Sequence, residues 1–119
     1  DPPINVGAAI KRDGQIELGD AAHWVTPQAL RSVADGPITV ALRPHHVRPA
    51  GGAGVAVSGP VLISEISGSE SVIHFGLAGS TWVSLAHGVR SHPVGATATF
   101  ALDVEHCLYF DGSGRRLAA

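Results

Sequence analysis

Lysine occurs once in these 119 residues, cysteine once and methionine not at all, and the shortages remove whole classes of function. With 8 basic side chains against 10 acidic ones the formal charge is -2. No excess positive field exists to hold a phosphate backbone or an anionic membrane. The aromatic residues are Trp24, Trp82, Tyr109 and three phenylalanines, too few for the basic, aromatic-lined groove that stacks nucleic-acid bases. Cys107 has no cysteine to pair with and sits in an apolar stretch, so it reads as a buried, inert thiol at ease in a reducing compartment. No apolar run approaches the roughly 20 residues of a membrane-crossing helix, and no charged segment followed by a hydrophobic one marks a signal peptide after Asp1.

What is present suits one compact domain. A chain that is 45% hydrophobic and 15% charged can bury roughly two-thirds of its unfolded surface at this length. The opening D-P-P-I-N5 and the lack of methionine read as a C-terminal domain taken from a longer protein. The dominant hydrophobic period is two, broken by 15 Gly and 8 Pro, which is the punctuation of many short strands. Residues 4–10 and 15–18 flank K-R-D-G and read as a hairpin turning at Asp13-Gly14, with a weaker strand at 22–25. One helical signal stands out, T26-P-Q-A-L-R-S-V-A-D-G36, with Thr26 as cap, Pro27 in the first turn and Leu30, Val33 and Ala34 on one face. Residues 37–43 return to strand, His45-His46-Val47 follow Pro44 as one helical loop, and G51-G-A-G54 is a turn. Strands are then expected at 55–66, 71–77, 81–86, 97–103 and 106–110. Ile73, Phe75 and Leu77 point inward without Ser71 or Gly76, and Ala98, Phe100 and Leu102 form the inward set of the next strand. One buried face and short glycine turns suit a mainly β fold, a small Greek-key barrel with one short helix, since closure removes unpaired edges.

The residues that could carry chemistry are scattered. Seven histidines, among them His45, His46, His74, His87, His92 and His106, suggest a metal, yet no H-E-x-x-H motif or cysteine pair accompanies them. They are expected to be surface or half-buried groups, with no metal site. Ser69, Glu70 and His74 have the residue types of a nucleophilic triad but lack the sharp strand-to-helix elbow that exposes a catalytic serine. Glu65 with Glu70, and Asp103 with Glu105, bracket turns as polar turn residues do, so no catalytic residue is assigned.

Four ordered motifs carry a family resemblance across the whole chain. I38-T-V-A-L-R-P-H-H-V47 resembles the strand followed by L-R-P-E-x-[VI] in the C-terminal regulatory domain of maltose-type carbohydrate ABC importer ATPases. I63-S-E-I-S-G-S-E-S-V-I-H-F75 resembles that family's E-x-L-G-S-E strand pair, and V94 to L117 resembles its closing segment, in which H-L-F-D precedes T-G-x-R-L. P2-P-I-N5 is similar to the S-P-P-M-N that joins the nucleotide-binding domain to the regulatory one. The departures are His45 in place of Glu, Ala96 in place of Asp and Val104 in place of Pro; segment 26–36 resembles a variable insertion.

The resemblance implies a tandem OB-like (TOBE) arrangement: a joint at 1–5 to a nucleotide-binding domain absent from this sequence, a first lobe at 6–50 and a second at 51–119. It implies a non-catalytic regulatory and dimerisation domain of the ATP-binding subunit of a bacterial importer for sugars or related solutes such as sugar alcohols or glycerol phosphate. No phosphate-cradling G-x-x-x-x-G-K-[ST] loop, L-S-G-G-Q segment or magnesium-holding strand is present in this sequence. ATP and magnesium therefore belong to the nucleotide-binding domain, and no cofactor is expected here. The implied partners are a second ATPase subunit, the permease subunits and an inhibitory regulator protein. The implied place is the cytoplasmic face of the plasma membrane. Arg43, Pro44, His45, Gly68, Ser69, Glu70, Asp111, Gly114 and Arg115 are the implied contact positions. A free-standing module that binds an oxyanion or sugar is the alternative, though Lys11 is the only lysine available to an anion.

Overall fold

The computed structural model describes residues 3–88 and 92–117. Ten strands fill most of it: β1 (Asn5–Arg12), β2 (Gln15–Leu18), β3 (Ala22–Val25), β4 (Gly36–Leu42), β5 (Val47–Pro49), β6 (Val55–Ser67), β7 (Glu70–Leu77), β8 (Ser80–His87), β9 (Thr97–Leu102) and β10 (Leu108–Phe110). They form two antiparallel five-stranded sheets, ordered β10-β4-β1-β2-β3 and β5-β9-β6-β7-β8. The hairpin at Asp13-Gly14 is as expected, with φ of 51° and 76° between the paired Arg12 and Gln15. Two consecutive positive φ angles give the turn whose twist matches that of its strands.

The helical signal at 26–36 shrinks to one 3-10 turn, Gln28–Leu30. Leu30 N–H bonds to Pro27 C=O and Val33 N–H to Leu30 C=O, a tight i to i+3 pattern that does not propagate. The Thr26 hydroxyl caps nothing, because its backbone N–H is held by the Gly14 carbonyl and its side chain is buried. Leu30 alone is fully buried there; Ala34, expected on the same face, is exposed. Ser71 is also corrected: it is buried beside Ile73, Phe75 and Leu77, and its hydroxyl donates to the Gly88 carbonyl at 2.8 Å.

The two sheets do not divide at residue 50. After β4 the chain turns through Pro44–His46 and β5 joins the second sheet by pairing with β9; after β9 it turns through Val104–His106 and β10 returns to pair with β4. The second sheet thus takes the whole stretch 47–102, and β10 returns to the first. The returning chains touch where Asp103 N–H bonds to His46 C=O at 3.0 Å. Asn5, expected in a joint, instead opens β1 and is buried; Asp1 and Pro2 of that joint lie outside the described residues. Its amide makes two bonds to Val83 of β8, donating to the carbonyl at 2.9 Å and accepting from the N–H at 2.7 Å. A side chain here supplies the ladder contact that backbone pairing supplies elsewhere.

A single core runs through both sheets, with Ile16, Leu18, Val40 and Leu42 from one and Val61, Phe75, Trp82 and Phe100 from the other. Phe75 and Phe100 stack with centroids 4.3 Å apart. β6 serves both β9 (through Val55–Pro60) and β7 (from Val61), with a register irregularity between Val61 and Ile63. Gly59 lies just before the pairing with β7 begins, and a Cβ there would lie 1.8 Å from the Gly76 carbonyl oxygen. Backbone cannot yield as a flexible side chain can. Gly59→Ala is expected to lower stability by about 2–3 kcal/mol, the cost of an overpacked site, and to lower Tm by roughly 10 °C at this chain length. Circular-dichroism melting checks this, and an unchanged Tm would show that the strands part freely at that point.

Candidate functional site

Three surfaces merit attention, and the first comes from an inversion in β1. Along Asn5–Arg12 burial alternates, but the buried side carries Asn5, Gly7, Ala9 and Lys11, while Val6, Ala8, Ile10 and Arg12 face out. The inner face needs small groups because a Cβ on Gly7 would stand 2.9 Å from Leu18 and 3.2 Å from the Trp82 ring. Lys11 is buried and reaches Asp35 at 2.9 Å, and this bond, ahead of one from the Asp13 N–H, holds the Asp35 carboxyl below its ordinary range. Val6 and Ile10 are 49% and 40% exposed. Pro37, opposite Ile10, extends the apolar face, and the Arg12–Glu17 ion pair borders it.

The second surface is the seam of the first sheet. Its outermost strands, β3 and β10, meet through side chains, with Trp24 Nε1–H donating to the Tyr109 hydroxyl at 2.9 Å. The Cys107 thiol lies beside the hydroxyl. Burial pushes the Cys107 thiol up to about 12 and the Tyr109 hydroxyl above its ordinary value, so both stay protonated. A cleft of about 600 Å³ opens along this seam, apolar over Trp24, Leu30, Val104 and Tyr109, with Arg116 at its rim. Cys107 is half-buried, and the inert thiol expected for it agrees with this environment.

The third surface is the chain crossing. His46 and His106, the last residues of the two matching 3-10 turns, stack with centroids 4.0 Å apart and planes 6° from parallel. Asp103 lies beside both, with Oδ2 2.8 Å from His106 Nδ1, 3.5 Å from His46 Nδ1 and 3.0 Å from the Arg48 guanidinium. His46 is held below its ordinary value by burial first, then by His45 and His106. His46, Asp103 and His106 bring ligand atoms within 4.8 Å of one another. The two rings lie in parallel planes, and the shared carboxylate is already paired with the Arg48 guanidinium.

The expected contact positions fall in three places. His45 and Glu70 line one hollow of about 400 Å³ together with Arg48 and His87, while Arg43 beside it is exposed and Pro44 buried. Gly68 and Ser69 form the exposed tip of the β6–β7 hairpin, Gly68 at a φ of 59°. Asp111, Gly114 and Arg115 lie beyond β10 and do not join that hollow. There the Asp111 carboxylate accepts from the Ser113 hydroxyl and N–H and from the Arg115 N–H at 2.7–3.0 Å, which lowers its pKa through the serine bond first. Asp111 and Gly114, the latter at a φ of 84°, shape the turn; the Arg115 side chain is exposed. The triad types do not assemble into a hydrogen-bonded set: His74 faces Glu65 at 3.7 Å, and Glu70 faces His87 at 4.0 Å. Sequence reasoning did not find the β1 face, the seam or the crossing, although the alternation in β1 contains the first.

The fold is that of an OB-like β-barrel domain. The chain belongs to the TOBE domain family, whose profile matches residues 40–110. Over 100 residues it is 33% identical to the sn-glycerol-3-phosphate import ATP-binding protein UgpC of Chromobacterium violaceum, a match covering 83% of this chain and 27% of that protein. The chain thus spans about a quarter of the length of the curated relative it matches.

The seam yields a test of chemistry and packing together. With its pKa pushed up to about 12, Cys107 in the folded protein should react with a disulfide reagent at pH 8 at least about tenfold more slowly than an ordinary thiol, the lost thiolate fraction outweighing the greater nucleophilicity of a more basic thiolate. Denaturant should restore the normal rate. Tyr109→Phe strands the buried Trp24 N–H and should lower unfolding free energy by about 1–3 kcal/mol; urea titration measures it, and no change would remove the bond from the seam's account.

Proposed function

We propose that this chain is the non-catalytic regulatory and dimerisation domain of the ATP-binding subunit of an ABC importer for sugars or related solutes, glycerol phosphate among them. The likeness to an sn-glycerol-3-phosphate import ATP-binding protein supports the class. The observation that carries the dimerisation role is the inverted strand β1, which turns Val6, Ala8 and Ile10 outward beside Pro37. A row of outward apolar side chains on one strand suits a protein partner. In this reading a second ATP-binding subunit covers it, and the stiff β-ladders form a fixed pivot while the nucleotide-binding domains, which hold ATP and magnesium, open and close. Residues before β1 then serve as the joint.

The loops at Arg43–His45, Gly68–Glu70 and Asp111–Arg115 are the contact positions for an inhibitory regulator, and the permease is met through the rest of the subunit. The place of work is the cytoplasmic face of the plasma membrane. The purified 119 residues should release no phosphate from ATP above background. A free-standing module for an oxyanion or sugar draws support from the seam cleft with Arg116, but Lys11, the one lysine, is already buried against Asp35. Calorimetry with molybdate and simple sugars tests it, and measurable heat would favour this second reading.

The dimer face gives the sharper experiment. Ile10→Lys, made in an ATP-binding chain that carries this domain, should weaken dimerisation by at least about tenfold in sedimentation analysis, as loss of a central apolar contact does. The same change in the 119-residue chain should leave its circular dichroism unaltered, because the side chain is exposed. A dimer indifferent to Ile10→Lys would move the contact to another face.

A further inference from the structure

The crossing of the two chain segments has a composition that its structural task does not require. Two backbone turns could be held together by apolar side chains, yet this one holds His45, His46 and His106 in a run of rings, 4.1 Å and 4.0 Å between successive centroids. The groups facing His46 come from every element around it. His45 shares its turn, Arg48 comes from β5, and Asp103 and His106 come from the segment after β9. Beyond His45 the adjoining hollow adds Glu70 and His87, and the nearby Cys107 thiol stays protonated.

Neutral imidazoles stack face to face without penalty. A proton on His106 meets the Asp103 carboxylate at 2.8 Å. A proton on His46 finds the same oxygen at 3.5 Å, already shared with His106 and Arg48, and two more rings within about 4 Å. Burial works against that second charge as well, and its Nδ1 has no hydrogen-bond partner to spread it.

We propose that the crossing is a proton-operated joint, in which charging His46 as well as His106 forces the stacked rings apart and loosens the contact between the two 3-10 turns. The sign follows from the lowered affinity of His46 for its proton. A histidine that is harder to charge in the folded state contributes stability that is complete above its ordinary value of 6.5 and is lost as pH falls through that value toward the lower folded one. The joint is closed at neutral pH and loosens in mild acid. Because this crossing is where the chain passes from the first sheet into the second and back to β10, loosening there changes how firmly the first sheet, with its apolar outer face, is tied to the second.

Amide hydrogen exchange on the 119-residue chain tests this at single positions. After correction for the intrinsic pH dependence, protection of the Asp103 amide, which bonds across the crossing, should fall by at least about tenfold between pH 7.5 and 5.5. Amides of the β1–β4 ladder should change by less than about threefold. His46→Phe keeps a ring in the stack but accepts no proton, and it should abolish the local loss. A wild-type Asp103 amide with pH-independent protection overturns the proposal, as does an equal loss in His46→Phe. Should that variant fail to fold, His106→Gln, changed at an exposed position, serves in its place with the same expected result.

Discussion

The passage of the chain from the first sheet to the second and back is the constraint on which the rest of this domain depends. The second sheet is built from the continuous stretch 47–102, whereas the first needs β10, which follows that stretch. Both passages run through short turns at one place, joined by the bond from the Asp103 N–H to the His46 carbonyl. An edge strand left unpaired exposes a row of backbone donors and acceptors. The return of β10 covers the edge of β4, β5 covers that of β9, and the core is common to both sheets. Trp82, Phe75 and Leu18 therefore belong to one cluster although they come from different sheets.

That shared core explains the unusual face of β1. Trp82 and Leu18 fill the space under Gly7, and the buried Asn5 side chain bonds to the β8 backbone, so β1 has room inside only for small or specifically bonded groups. Its larger apolar residues are left on the outside. A face that arises from packing within is then available to a partner without.

Much of the fold was legible in the chain. The hairpin at Asp13-Gly14, the strands with inward Phe75 and Phe100, the turn after Pro44 and the family motifs all rest on local chemistry, glycine φ preferences and period-two alternation. The contact surfaces were less legible. The Asp111–Arg115 turn was visible as a turn, while the commitment of the Asp111 carboxylate to its own backbone needed coordinates. His46 and His106 are 60 positions apart, and no spacing rule links residues at that distance. Segment 26–36 misled because its capping residues are real helix signals, yet burial of Leu30 and the bond from Thr26 N–H to Gly14 C=O override them.

The sequence by itself determined that this is a strand-rich domain, where its turns lie, which family it resembles and that it lacks the phosphate-binding motifs of an ATPase. Those properties are written in neighbouring residues, because turn geometry and alternation act over a few positions. Only the tertiary structure decided which strands change sheets, which side of β1 meets solvent, and that Trp24 meets Tyr109 and His46 meets His106. The physical reason is that each of these is a contact between distant segments, selected by the volume and hydrogen bonds of the partner segment and not by the residues beside it in the chain.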